Sequence, residues 1–177
     1  GSHLALSIWK SNAKHIFTLP LAGGEMRQIT DGGAINTEPV YAPDGSTLYF
    51  MSDRGGGPQI YRIAASGGAP TRVTFEGSYN ASPSVAPDGK SIAYLSRDGG
   101  RYRIAVLELD SQQTNYLTDG PADERPSFAA NGRIVLYAGL SGGRGTLHSV
   151  TIDGRVKQRL SSSSGQVQEP AWGPIPR

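Results

Sequence analysis

The chain has 177 residues and a net charge of +2, enough length for one sizeable core. Gly 24 and Pro 12 make up about a fifth of it while 37% is hydrophobic, which excludes disorder and long helices and favours many short strands joined by turns. It has no cysteine and so no disulfide frame or thiol nucleophile, its apolar runs are too short to span a bilayer, and its 17 scattered Lys and Arg form no nucleic-acid patch.

In chain order, Gly1-Ser2-His3 reads as a tag scar and is set aside. Leu4-Ala5-Leu6 is an apolar strand, Ile16-Phe17-Thr18-Leu19 alternates, and a short outer strand ends at Ile29-Thr30. An inner strand at Pro39-Val40-Tyr41 then leads into Pro43-Asp44-Gly45, a tight turn in which Pro presets φ and Gly accepts a positive one. Residues 48–51 and 60–63 are the next two strands; Gly67-Gly68 turns the chain, and Val73-Thr74 ends the next outer strand. The order repeats from Pro83 through Pro87-Asp88-Gly89, residues 92–95 and 104–107, to Leu117-Thr118. It repeats again from Pro126 through Ala130-Asn131-Gly132, residues 134–137 and 147–150, and Asp153-Gly154, to Leu160-Ser161. A last copy of the inner strand is Glu169-Pro170-Ala171-Trp172.

The first prolines stand 44, 43 and 44 residues apart, and the hydroxyl markers 44, 44 and 43. Four strands per period of this length make the blade of a β-propeller. The expected fold is all-β, four blade equivalents of four antiparallel strands, sixteen strands in all, with no helix because no window carries a 3.6-residue apolar period. The repeat units run over 4–34, 35–78, 79–121 and 122–165, with a closing inner strand at 166–174. The chain begins on a second strand and ends on an inner one, so residues 169–173 are expected to pair beside residues 4–8 and close the ring.

Gly139-Leu140-Ser141-Gly142-Gly143 matches the spacing of a nucleophile elbow, but an elbow needs a strand turning into a helix. Here it falls where other blades have strand-to-strand loops, and His15 and His148 read as blade-packing residues. No catalytic residue is assigned. Asp44 and Asp88 read as turn residues, and Arg54 and Arg62 as decoration of loops and blade edges; changing Arg54 or His148, on other parts of the blade, should do little.

The informative segments precede each inner strand, because symmetry gathers those starts at one channel mouth. Glu38, Asp123, Glu124 and Glu169 would place four carboxylates there. Tyr79 would serve as an aromatic anchor, with Asn36, Thr37 and Asn80 as polar partners. Such a rim suits capture of a peptide or protein loop. Its oxygens also make Ca²⁺ a secondary ligand; no other cofactor is expected.

The ordered set Asn36-Thr37-Glu38-Pro39, Ser52-Asp53-Arg54-Gly55-Gly56, Pro58-Gln59-Ile60-Tyr61, Phe75-Glu76-Gly77-Ser78-Tyr79-Asn80, Arg103-Ile104-Ala105, Pro126-Ser127-Phe128-Ala129-Ala130-Asn131-Gly132, Asp153-Gly154-Arg155-Val156-Lys157 and Glu169-Pro170-Ala171-Trp172 resembles the propeller of the TolB family of the Tol–Pal system. The resemblance covers residues 4–177. It implies a periplasmic, non-enzymatic interaction scaffold that binds the Pal lipoprotein, with colicin-type or other disordered peptides entering the same channel. It implies no nucleic-acid partner and no membrane insertion. The family also carries an α/β domain and two further blades ahead of the part matched here. The competing class is an accessory propeller of a prolyl-oligopeptidase-like hydrolase. A metal-dependent lyase would need histidines clustered in the channel, which the inner strands lack.

Overall fold

Alternating apolar residues favour strands because every second side chain meets the same face. A computed structural model describes residues 1–160 and 165–173. Among these it has fifteen strands and no helix. They are β1 (His3–Lys10), β2 (Ala13–Pro20), β3 (Arg27–Gln28), β4 (Asn36–Tyr41), β5 (Thr47–Ser52), β6 (Gln59–Ala64), β7 (Thr71–Arg72), β8 (Tyr79–Val85), β9 (Ser91–Asp98), β10 (Arg101–Glu108), β11 (Thr114–Tyr116), β12 (Glu124–Phe128), β13 (Ile134–Ser141), β14 (Arg144–Thr151) and β15 (Lys157–Arg159). Successive strands pair antiparallel into four sheets, β1–β2–β3, β4 to β7, β8 to β11 and β12 to β15. These are propeller blades at the predicted repeat.

The chain divides into two compact units, residues 1–75 and 76–177. The first buries Ile16, Ile29, Leu48, Phe50, Tyr61 and Ile63 together. Phe50 and Tyr61 face each other across β5 and β6 and stack at 6.4 Å. The second buries Ala93, Ile104, Val106, Leu117, Phe128, Val135, Tyr137 and Val150. Each fully buried Ile, Leu or Phe contributes about 1.5–3 kcal/mol, so each core stabilises its own unit.

The repeated markers have local causes. Asp44 Oδ1 accepts the Ser46 amide at 3.0 Å, Asp88 Oδ1 the Lys90 amide at 3.0 Å, and Asn131 Oδ1 the Arg133 amide at 2.9 Å. The glycine between has φ of 74°, 71° and 67° in the three turns. The hydroxyl marker ends each outer strand by turning inward: Thr30, Thr74 and Thr118 Oγ1 accept the amides of Ile16, Ile60 and Ile104 at 2.9, 3.0 and 2.9 Å. The fourth copy, Ser161, lies outside the described residues. His3, set aside as scar, pairs with Pro20 in β1, since a ladder needs only backbone.

The sixteenth strand and its pairing with residues 4–8 are not found among the described residues. The first sheet has three strands, and residues 165–173 form none. The tail is bonded instead to the blade before it. Val167 N donates to Gly145 O at 3.0 Å, as Asp123 N does to Tyr102 O at 3.3 Å. Trp172 N donates to Ser127 Oγ at 3.1 Å, as Phe128 N does to Ser84 Oγ at 3.1 Å. These bonds hold the tail in the manner of the inner-strand starts before it, although it forms no strand.

Candidate partner-binding site

Each inner strand begins with the same four-residue device ending at its proline. A short parallel bridge, Lys14 to Ile35 in the first unit and Tyr102 to Ala122 in the second, brings the start of the strand against the preceding blade. The next residue is Asn36, Asn80 or Asp123, and all three are buried. The pairing register then shifts between Thr37 and Val40, between Ala81 and Ser84, and between Glu124 and Ser127. Within that bulge the residue before proline has a left-handed backbone, with φ of 55° at Glu38, 52° at Ser82 and 53° at Arg125; Glu169, before Pro170 in the tail, has φ of 50°.

In the first unit, Asn36 is wholly buried and serves the fold. Its Nδ2 donates to Lys14 O at 2.7 Å and Ala34 O at 3.2 Å, and its Oδ1 accepts from Arg54 Nη2 at 2.8 Å. Ser7 Oγ donates to its carbonyl at 2.6 Å. Arg54 also donates to Ser52 Oγ at 3.0 Å and lies over Tyr61 at 5.2 Å. Arg54 is therefore not remote decoration; it holds a predicted site residue. Thr37 and Glu38 are half-buried beside them.

In the second unit, Asn80 is likewise buried, with Nδ2 donating to Glu76 O at 2.7 Å. Tyr79 is half-buried and meets Tyr102 edge to face at 5.8 Å, so part of the expected anchor is spent on a neighbour. Asp123 is 4% exposed and does not belong to an open carboxylate rim. Its Oδ2 accepts the Gly120 amide at 3.2 Å and its carboxylate accepts from Thr118. Burial pushes its carboxyl above the ordinary range, against those two bonds. Glu124 and Glu169 are exposed, and Arg125, which the sequence reading passed over, joins them: its Nη2 lies 2.9 Å from Glu169 Oε1.

His148 is the second residue wrongly placed at a distance. A Cβ on Gly139 would come 2.9 Å from Asp123 Oδ1 and 3.2 Å from His148 Cδ2, so both side chains converge on that glycine. Thr146 Oγ1 donates to Gly139 O at 3.0 Å and lies 2.6 Å from His148 Nε2. The hydroxyl has one proton, already committed, so Nε2 must be the donor. Burial lowers the His148 pKa; Asp123 pulls it up and Arg159 pushes it down.

Ser141 ends β13 in a hairpin whose turn, Gly142-Gly143, has φ of 60° and 78°. The chain runs strand to strand there, as expected, and no helix N-terminus supports an oxyanion. Among the described residues no three His, Asp or Glu side chains gather as a metal site, so Ca²⁺ finds no such donor set. No helix among them is long and apolar enough to cross a membrane.

Around the inner-strand starts Thr37 and Glu38 in the first unit, and Tyr79 and Arg125 in the second, are half-exposed, while Glu124 and Glu169 in the second are exposed. The positive φ before each proline was not legible in residue types. Arg125 had a signal, its place in phase with Glu38 and Glu169.

The family described as PD40, TolB beta propeller domain, matches residues 1–176. The Tol-Pal system protein TolB of Bordetella pertussis is 48% identical over 155 residues, covering 88% of this chain and 35% of that protein. The chain thus spans about a third of the length of that relative. The crystal structure of TolB from Acinetobacter baumannii superposes with a TM-score of 0.89 at 38% identity, over 97% of this chain and 43% of that one. A putative TolB from Agrobacterium tumefaciens, with a TM-score of 0.80 at 24% identity over 90% of this chain and 58% of that one, shares the fold.

Proposed function

Since the chain belongs to the TolB β-propeller domain family, we propose that it is a non-catalytic interaction module of the Tol–Pal system. It acts in the periplasm and supports outer-membrane integrity. Its partner is Pal, and colicin-type or other disordered peptides compete for the same face. In each unit the residues around the inner-strand starts touch the partner, Thr37 and Glu38 in the first and Tyr79, Glu124, Arg125 and Glu169 in the second, while buried Asn36, Asn80 and Asp123 fix them from behind.

The observation that supports this reading is the register shift repeated in β4, β8 and β12, with a left-handed residue before the proline in each. The 48% identity to a Tol-Pal system protein supports the choice of partner. An accessory propeller of a hydrolase shares only the fold with this chain, and nothing in the blades favours it.

The test is a calorimetric titration of the chain and its variants with the soluble domain of Pal. A truncated aromatic anchor typically costs ~2 kcal/mol, so Tyr79→Ala should weaken binding by about thirtyfold. Glu38→Lys should change the association rate and its salt dependence. Full affinity in both variants would refute this choice of face.

A further inference from the structure

Sixteen glycines among the described residues have positive φ, so this chain supplies glycine freely where the backbone turns left-handed. It does not do so before the inner-strand prolines. The residues there are Glu38, Ser82, Arg125 and Glu169, with φ between 50° and 55°. A side chain with a Cβ is costly in that region, and the proline that follows disfavours helical backbone further. Strain repeated at equivalent positions is kept when the side chain does something glycine cannot. The bulge also re-aims the residue away from its place in the ladder.

We propose that the residue before the inner-strand proline, where it is charged and open to solvent as at Glu38, Arg125 and Glu169, is the position at which this fold presents its partner-reading side chain. In the second unit the Arg125–Glu169 ion pair reads a mixed-charge segment of the partner. The proposal rests on the reading of this face as the Pal-binding one. Arg125 and Glu169 are 41% and 68% exposed at the side chain, and they come from β12 and the tail. An exposed pair of this kind adds little to folding. Two charges of opposite sign held side by side fit a partner segment that brings a carboxylate to Arg125 and an ammonium or guanidinium to Glu169. Arginine suits the carboxylate because its planar fork grips both oxygens. Ser82, at the same φ on β8, is buried and is not part of the presented series.

The test exchanges the two charges. Arg125→Glu with Glu169→Arg keeps an ion pair in the same place and reverses what the partner meets. The midpoint of thermal unfolding should not move, and affinity for the soluble domain of Pal should fall at least tenfold. Unchanged affinity in the exchanged protein would overturn the proposal. A second arm needs no partner: Glu38→Gly and Arg125→Gly should leave the unfolding midpoint unchanged or raise it. A lowered midpoint would mean the side chains are kept for folding, which also overturns the proposal. If the unsubstituted chain fails to bind Pal, the proposed function falls, and the glycine arm alone decides whether the strained side chains are dispensable to the fold.

Discussion

Arg54 donates from Nη2 to Oδ1 of Asn36 at 2.8 Å, and the same amide donates from Nδ2 to Lys14 O at 2.7 Å. One buried side chain thus ties the start of β4 to β2 and to the loop after β5. Removing it as Asn36→Ala leaves the Lys14 carbonyl and the Arg54 guanidinium without that partner. Groups stranded in this way cost about 1–3 kcal/mol each. We expect urea unfolding to show a loss of at least 2 kcal/mol, with Arg54→Ala losing less because solvent can reach its site. A loss below about 0.5 kcal/mol would show that the network is not structural.

Thr30 makes the equivalent argument for the outer strands. Its hydroxyl accepts the buried Ile16 amide at 2.9 Å. Thr30→Val keeps the shape and strands that amide, at a cost of about 1–3 kcal/mol. Hydrogen exchange at Ile16 should quicken in the variant. Unaltered protection would mean that another acceptor takes over.

Asp123 sets a pH dependence whose sign is fixed by burial. Its carboxyl is pushed up, so the folded state holds that proton more tightly than the unfolded chain, whose value is near 4. The group favours folding while both states are protonated. That contribution is lost as pH rises from about 4 through the folded value. Asp123→Asn, which installs the amide found at Asn36 and Asn80, should stabilise the protein at pH 7 and flatten its acid profile. His148 acts in the opposite window: its lowered value means stability is lost as pH falls below about 6.5. A variant Asp123→Asn that is less stable at pH 7 would contradict the assignment.

Ser141 stands in a two-glycine hairpin with no helix behind it. Activated esters should be turned over no faster by the chain than by Ser141→Ala. A clear loss of turnover in the variant would make Ser141 a nucleophile.

The repeat was legible because turns and hydroxyl caps are local. Pro43-Asp44-Gly45 must turn, and Thr30 and Thr74 recur at a fixed distance from the strand each caps. The inner-strand starts were found for the same reason. Which of their residues face solvent was not legible, because Asn36 and Asp123 look like rim residues until the preceding blade covers them. Arg54 and His148 were misplaced because their reach runs across strands, Arg54 to Asn36 and His148 toward Asp123, a distance that no spacing along the chain records. The left-handed residues before Pro39, Pro83, Pro126 and Pro170 were hidden because Glu, Ser and Arg carry no mark of positive φ.

The central claim, that this propeller domain is a Pal-binding module, is tested most directly by the isotherm of the unsubstituted chain with the soluble domain of Pal. Circular dichroism in the same buffer establishes that the chain is folded. The account predicts saturable binding that weakens as salt rises, since Glu38, Glu124, Arg125 and Glu169 supply charge to the face. A flat isotherm from a folded chain would contradict it.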